Sequence, residues 1–134
     1  MTIALLPAAS ILRSGDAASV WDGVFTGEQA ARGEASYRKA CASCHGEALD
    51  GKGQAPPLTG SDFKGNWNGQ TLGDLFDKIQ TSMPADNPGS LKPAENADVL
   101  SFMLKANAFP AGRSELASDS DALKKIRFEA AKGK

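Results

Sequence analysis

Both cysteines of this chain and its one histidine lie within five consecutive residues, Cys41-Ala42-Ser43-Cys44-His45. Random placement would produce this order and spacing of the two cysteines and the histidine in about one chain in ten thousand, so the arrangement indicates a shared chemical role. Two thiols three positions apart lie on one side of a helical turn, where they can add to the two vinyl groups of a haem. The adjacent histidine can then reach the iron from the same side. The spacing therefore predicts covalent attachment of one c-type haem through Cys41 and Cys44.

Three other interpretations of this cluster remain open. A structural zinc site needs four ligands, but the sequence has no further cysteine or histidine to complete it. A thioredoxin-like dithiol follows a strand in a βαβ unit, whereas the residues before Cys41 have a helical pattern. A disulfide across so short a loop, with the histidine beside it by chance, is the third. The haem is favoured over all three.

Composition excludes several classes of function. The 134 residues include 15 basic and 16 acidic side chains, for a net charge of -1, which gives no broad positive field for nucleic acid or an anionic membrane. No apolar run in the sequence approaches the roughly 18 to 20 residues of a membrane span. The 14 glycines and 7 prolines favour short elements joined by long turns around a group that supplies part of the core. We expect one domain with no nucleic-acid partner and no membrane span.

A small and an aromatic residue, Gly33 and Tyr37, precede the first cysteine by eight and four positions, and Val99 and Phe102 lie in a later helical segment. With these residues the chain resembles the class I (monohaem) cytochrome c family, in which the N-terminal and C-terminal helices cross at such positions. The resemblance covers about residues 26–106. It implies an all-α cytochrome c fold, with three to five short helices wrapped around one covalently attached haem.

The same resemblance implies roles around the haem. The carbonyl of Pro56, in the proline-rich segment 55–60, would accept a hydrogen bond from His45, the proximal iron ligand. Trp67 would donate its indole hydrogen to a haem propionate, with a plain core tryptophan as the alternative. We therefore expect these three residues to bind the cofactor together with Cys41 and Cys44.

The second axial ligand cannot be a second histidine, which leaves methionine, lysine, asparagine, an N-terminal amine or an open position. Met1 starts the sequence, and Met103 lies in an apolar-periodic segment where core packing explains it. Met83 follows a helical pattern and precedes Pro84, which stops that helix. The family places its distal ligand in this setting, so the resemblance implies Met83. A loop methionine that covers the apolar end of the preceding helix is the alternative.

Hydrophobic periodicity predicts only helices, and no segment alternates for long enough to predict a strand. Thr26 and Gln29 form a candidate capping box for the first helix. The predicted elements are helices over residues 26–41, 71–81 and 93–107, and a glycine-rich loop over 46–70.

The chain ends are interpreted separately from the cytochrome c domain at 20–106. Residues 1–19 fit a degenerate or truncated export leader, although no basic residue precedes their apolar run. Because the family receives its haem outside the bacterial cytoplasm, the resemblance implies an exported, periplasmic protein. Residues 107–134 form an extension that either packs on the core or docks a partner. Packing is favoured by its apolar residues Leu116, Leu123, Ile126 and Phe128.

Four loop segments also resemble small bacterial cytochromes c associated with quinoprotein (pyrroloquinoline quinone) dehydrogenases: residues 20–26, 65–69, 83–90 and 109–112. The resemblance implies a monomeric one-electron carrier, not an enzyme, that takes electrons from a dehydrogenase and passes them toward a terminal oxidase. Two alternatives remain open. One is a haem subunit permanently docked in an oxidoreductase complex. The other is a five-coordinate, gas-binding haem protein in which Met83 does not bind iron.

Overall fold

The structure, a computed structural model, describes residues 18–53 and 55–132, so most of the expected leader lies outside the described residues. The fold is all-α, as the sequence predicted, with very little strand. Among the described residues, no helix is long and apolar enough to cross a membrane. In chain order the elements are β1 (Ala18–Ser19), a 3-10 helix (Val20–Asp22), α1 (Gly27–Ala40), α2 (Ala42–His45), α3 (Ser61–Trp67), α4 (Leu72–Ser82), α5 (Pro93–Ala106), α6 (Ser120–Leu123) and β2 (Ile126–Arg127).

The three predicted helices correspond to α1, α4 and α5, with ends that differ by at most one residue. Several short elements were not predicted, among them the strand pair and α3. β1 and β2 pair in parallel with Ala18 opposite Ile126, and strands of two residues are too short to leave an alternating pattern. α3 forms inside the predicted loop, where Phe63 packs edge-on against Phe128 with ring centroids 6.0 Å apart. That tertiary contact stabilises a helix whose glycine-containing sequence has little intrinsic propensity.

The crossing of α1 and α5 is the most extensive helix contact, and it depends on a residue without a side chain. A Cβ atom on Gly33 would overlap the backbone carbonyl of Asp98, so only glycine lets the two helices approach this closely. One turn later on α1, the ring of Tyr37 lies 5.4 Å from that of Phe102. The predicted crossing is therefore confirmed at the residues that indicated it.

The described part of the C-terminal extension lies against the helical core. Leu116, Leu123 and Phe128 are buried in the same apolar cluster as the core of α4 and α5. The indole nitrogen of Trp21 donates to the carbonyl of Glu129 at 2.9 Å. A Cβ on Gly73 would lie 2.7 Å from the backbone nitrogen of Lys124, so the small residue on α4 admits α6.

Gln29 links α1 to the extension and corrects the predicted capping box. Thr26 does cap α1, because its hydroxyl accepts the Gln29 N–H at 3.1 Å. The Gln29 side chain, however, is only 2% exposed and turns away from Thr26. Its amide donates to the Leu116 carbonyl at 3.0 Å and accepts from the Leu116 N–H at 2.6 Å. A contact between residues so far apart in sequence leaves no local signal.

Replacing Gln29 by leucine should lower the free energy of unfolding by about 2 kcal/mol, because the N–H and carbonyl of Leu116 would lose their buried partners. Denaturant titration of the purified holoprotein measures this change. Gln70→Leu is the control, since the Gln70 amide is exposed and bonds only the neighbouring Asn66 carbonyl. We expect that control to stay within about 0.5 kcal/mol of the unmodified protein. Equal losses in the two variants would show that the Gln29–Leu116 hydrogen bonds do not account for the lost stability.

Candidate haem-binding site

A cavity of about 820 Å³ opens between α2, α4, α5 and the proline-rich segment. This volume lies within the roughly 300 to 1,000 Å³ usual for ligand and cofactor sites. The structure brings all six predicted site residues together on its walls: Cys41, Cys44, His45, Pro56, Trp67 and Met83. The charged side chains of the lining are Lys52, Lys78 and Asp86, so most of the lining is uncharged.

The two thiols and the histidine are aligned by a single turn of helix. Cys41 joins α1 to α2, and its carbonyl accepts the N–H groups of Cys44 at 3.2 Å and of His45 at 2.9 Å. Cys44 is exposed and Cys41 is half-buried. Burial, with a smaller effect of the neighbouring Cys44 charge, raises the pKa of Cys41 to about 11. Before the haem is attached, the fold therefore does not activate Cys41 as a thiolate nucleophile.

The imidazole of His45 is 8% exposed and has a defined orientation. Its Nδ1 lies 2.8 Å from the carbonyl oxygen of Pro56. Because a carbonyl only accepts hydrogen bonds, Nδ1 carries a proton, and in the neutral imidazole Nε2 then keeps a free lone pair. A histidine held in this way is prepared to bind a metal through Nε2.

The backbone on either side of His45 is also tethered. The carbonyl of His45 accepts the Gly51 N–H at 2.8 Å, and the Tyr37 hydroxyl donates to the Gly46 carbonyl at 2.6 Å. Burial is the main cause that raises the pKa of Tyr37 to about 12, so the phenol remains a donor. Sequence reasoning assigned Tyr37 to the helix crossing and missed this second contact, which joins the crossing to the histidine segment.

Met83 follows the last residue of α4, and its N–H closes that helix by donating to Ile79 at 3.0 Å. α4 begins at a capping box between Thr71 and Asp74, so both of its ends are fixed. Leu75 and Ile79 on the same helix line the cavity. The apolar face of α4 and the Met83 thioether that follows it therefore line the same cavity.

Met103 also lines the cavity, which the sequence did not predict. It is 2% exposed and lies one turn after Val99 on α5, another lining residue. Helical periodicity identifies the apolar face of α5, but it cannot divide that face between protein core and cofactor. Trp67, at the end of α3, is half-buried at the cavity wall, and its neighbour Asn66 is a further lining residue.

The residues present fit a covalently attached haem. Two thiols lie beside an imidazole with an available nitrogen, a thioether lines the same cavity, and the remaining walls are largely apolar. Imidazole nitrogen and thioether sulfur are axial ligands that haem iron takes in proteins. The fold and this donor set together define a monohaem class I cytochrome c.

Comparison with known proteins identifies the family. Residues 28–103 match the family model described as cytochrome c oxidase, cbb3-type, subunit III, and this match covers more than half of the chain. The chain belongs to that family of cytochrome c domains. It is accordingly an electron-transfer protein with covalent haem c, and this result replaces the zinc, dithiol and disulfide interpretations of the cysteine cluster.

A solved structure is similar in fold. The crystal structure of the sulfane dehydrogenase SoxCD from Paracoccus pantotrophus matches with a TM-score of 0.53 at 20% sequence identity. The match covers 81% of this chain and 61% of that chain. At this identity the likeness shows the fold alone. No curated protein matches the chain significantly.

Proposed function

We propose that this protein is a monomeric, periplasmic one-electron carrier whose iron is held between His45 and Met83. The observation that carries the proposal is the hydrogen bond from His45 Nδ1 to Pro56, which leaves Nε2 free in a cavity that Met83 also lines. When bound, the haem supplies a one-electron ferric/ferrous couple. Cys41 and Cys44 would anchor it through thioether bonds. Trp67 would hold a propionate.

The protein's own residues would then set the reduction potential. The soft thioether of Met83 favours ferrous iron. The hydrogen bond to the Pro56 carbonyl makes the His45 imidazole a stronger electron-pair donor to iron, which favours ferric iron. The apolar walls, with Leu75 and Ile79, disfavour the additional positive charge of the ferric state. Two ligands that stay bound in both states would keep structural change small during transfer.

The proposed donor is a quinoprotein dehydrogenase and the proposed acceptor a terminal oxidase. The donor rests on the loop segments that resemble cytochromes associated with such dehydrogenases. Cytochrome c domains of this family are typically exported, which supports a periplasmic location. The described part of 107–134 supports a packed extension rather than a docking arm, because the Gln29 amide and buried Phe128 tie it to the core.

Stopped-flow mixing of the ferric protein with a substrate-reduced quinoprotein dehydrogenase tests this function. We expect second-order reduction, followed by reoxidation when membranes that contain a terminal oxidase are added. A stable complex with the dehydrogenase on size-exclusion chromatography would favour the permanently docked subunit. Binding of carbon monoxide by the unmodified ferrous protein would favour the five-coordinate alternative.

Electrons should leave through the cavity mouth, where Lys52 and Lys78 are exposed. Oxidation of the ferrous protein by ferricyanide, a trivalent anion, should therefore slow about three- to tenfold in Lys52→Glu at roughly 10 mM ionic strength. The difference should almost vanish near about 0.5 M salt. Lys105→Glu makes the same change in net charge at an exposed position outside the cavity. If Lys105→Glu slows the reaction equally, electrons do not leave at this mouth.

A further inference from the structure

We infer that Asn107 is a positioning residue for His45. Its buried side chain fastens the segment that carries Pro56 to the end of α5, and Pro56 in turn orients the imidazole. The inference rests on the proposed role of His45 as iron ligand.

The Asn107 amide makes three hydrogen bonds and is 5% exposed. Its Nδ2 donates to the carbonyls of Leu58 at 2.9 Å and of Met103 at 2.8 Å. Its Oδ1 accepts the N–H of Gly60 at 3.2 Å. Both donor hydrogens and the acceptor are used, so one orientation of the amide satisfies the whole set.

These bonds join two walls of the cavity. Leu58 and Met103 both line it, the first from the proline-rich segment and the second from α5. Leu58 lies two residues beyond Pro56, and its N–H is held by the Leu49 carbonyl at 2.8 Å. The segment is therefore pinned between Leu49 and Asn107 directly after the residue that accepts from His45. Release of either pin would let the Pro56 carbonyl move relative to the imidazole.

A role in ending α5 does not account for this arrangement. The backbone N–H of Asn107 already donates to Met103 at 3.0 Å and to Leu104 at 3.2 Å, which closes the helix without the side chain. The bonds to Leu58 and Gly60 contribute nothing to the helix. They connect it to a segment about fifty positions earlier in the chain, which is the segment that touches the histidine.

Asn107→Leu tests the inference, because leucine fills a similar volume without polar atoms. Ser101→Ala is the matched control: Ser101 is fully buried on the same helix, but its hydroxyl bonds only Ala97 within that helix. In the ferrous holoprotein, exchange of the His45 ring N–H measured by NMR should accelerate at least tenfold in Asn107→Leu and at most twofold in Ser101→Ala. The midpoint potential should rise in Asn107→Leu alone, since a weaker hydrogen bond to Pro56 makes the imidazole a poorer electron-pair donor to iron.

Equal changes in the two variants would overturn the inference, as would a loss of stability with unchanged ring exchange and potential. If Asn107→Leu does not fold, the unmodified protein supplies the test. There, the Gly60 amide and the His45 ring N–H should show the same dependence of exchange on low denaturant, because one opening exposes both. Independent dependences would refute the coupling. Failure of the proposed function would appear separately, as an unmodified protein whose spectra show no histidine on the iron.

Discussion

Replacing Met83 by alanine should abolish the near-infrared sulfur-to-iron absorption band of the ferric protein. The midpoint potential should fall by a substantial part of the roughly 0.8 V over which axial ligands set haem potentials. The physical reason is the loss of the thioether, which stabilises ferrous iron more than a weakly bound water does. Absorption spectroscopy and potentiometric titration of the purified holoprotein measure both effects.

Met103→Leu is the control that makes this result specific. Met103 supplies a second thioether at the cavity wall, and leucine replaces it with little change in volume. The band should survive in Met103→Leu with a small shift in potential. The reverse pattern would make Met103 the ligand. An unmodified protein without the band would exclude methionine and direct attention to Lys78 and Asn66, a lysine and an asparagine that also line the cavity.

The features that sequence predicts well here are local ones. The cysteine and histidine cluster specifies its own turn, because ligands that must converge on one cofactor lie within five residues. Thr71 caps α4, and Pro93 begins α5 in the first turn, where proline is favourable. Such signals are complete within one or two turns of chain and need no tertiary information.

The features that sequence misses depend on distant partners. The Gln29 side chain lies at a capping-box position, yet it bonds the N–H and the carbonyl of Leu116. Leaving two buried backbone groups without partners costs more free energy than leaving an exposed cap unmade. α3 forms because Phe63 meets Phe128 across the chain. Asn107, at the end of a helix, has no sequence signal that connects it with Leu58. The role of such a buried polar group can be recognised only when its hydrogen-bond partners are known.

The extension also changes how the site should be tested. Residues Leu116, Leu123 and Phe128 are part of the buried cluster, so deleting 107–134 would expose core surface as well as remove any docking surface. Loss of a partner after that deletion would therefore not identify a docking arm. Single charge reversals, such as Lys52→Glu at the cavity mouth, leave the core intact and separate the two effects.

Gly33→Ala should lower the free energy of unfolding by more than about 3 kcal/mol, at or beyond the upper end of ordinary overpacking costs. The new methyl group would overlap the backbone carbonyl of Asp98, which no side-chain rotation can relieve. α1 and α5 would therefore have to move apart. This would disturb Tyr37 on α1 and Met103 on α5, which the α1–α5 crossing supports. Because a domain of this size has only about 5 to 15 kcal/mol of stability, the yield of holoprotein should also fall.

Gly27→Ala is the matched control for this loss, since a Cβ at the first residue of the same helix meets nothing within 4 Å. Alanine also has the higher helix propensity, so this variant should match the unmodified protein or exceed it by up to about 1 kcal/mol. Denaturant unfolding of both holoproteins, followed by the haem absorption, gives the comparison. If the Gly33 variant unfolds within about 1 kcal/mol of the Gly27 variant, the helices can yield at their crossing. The close approach of α1 to α5 would then not be what positions Met103, at the cavity wall, relative to Tyr37 on α1.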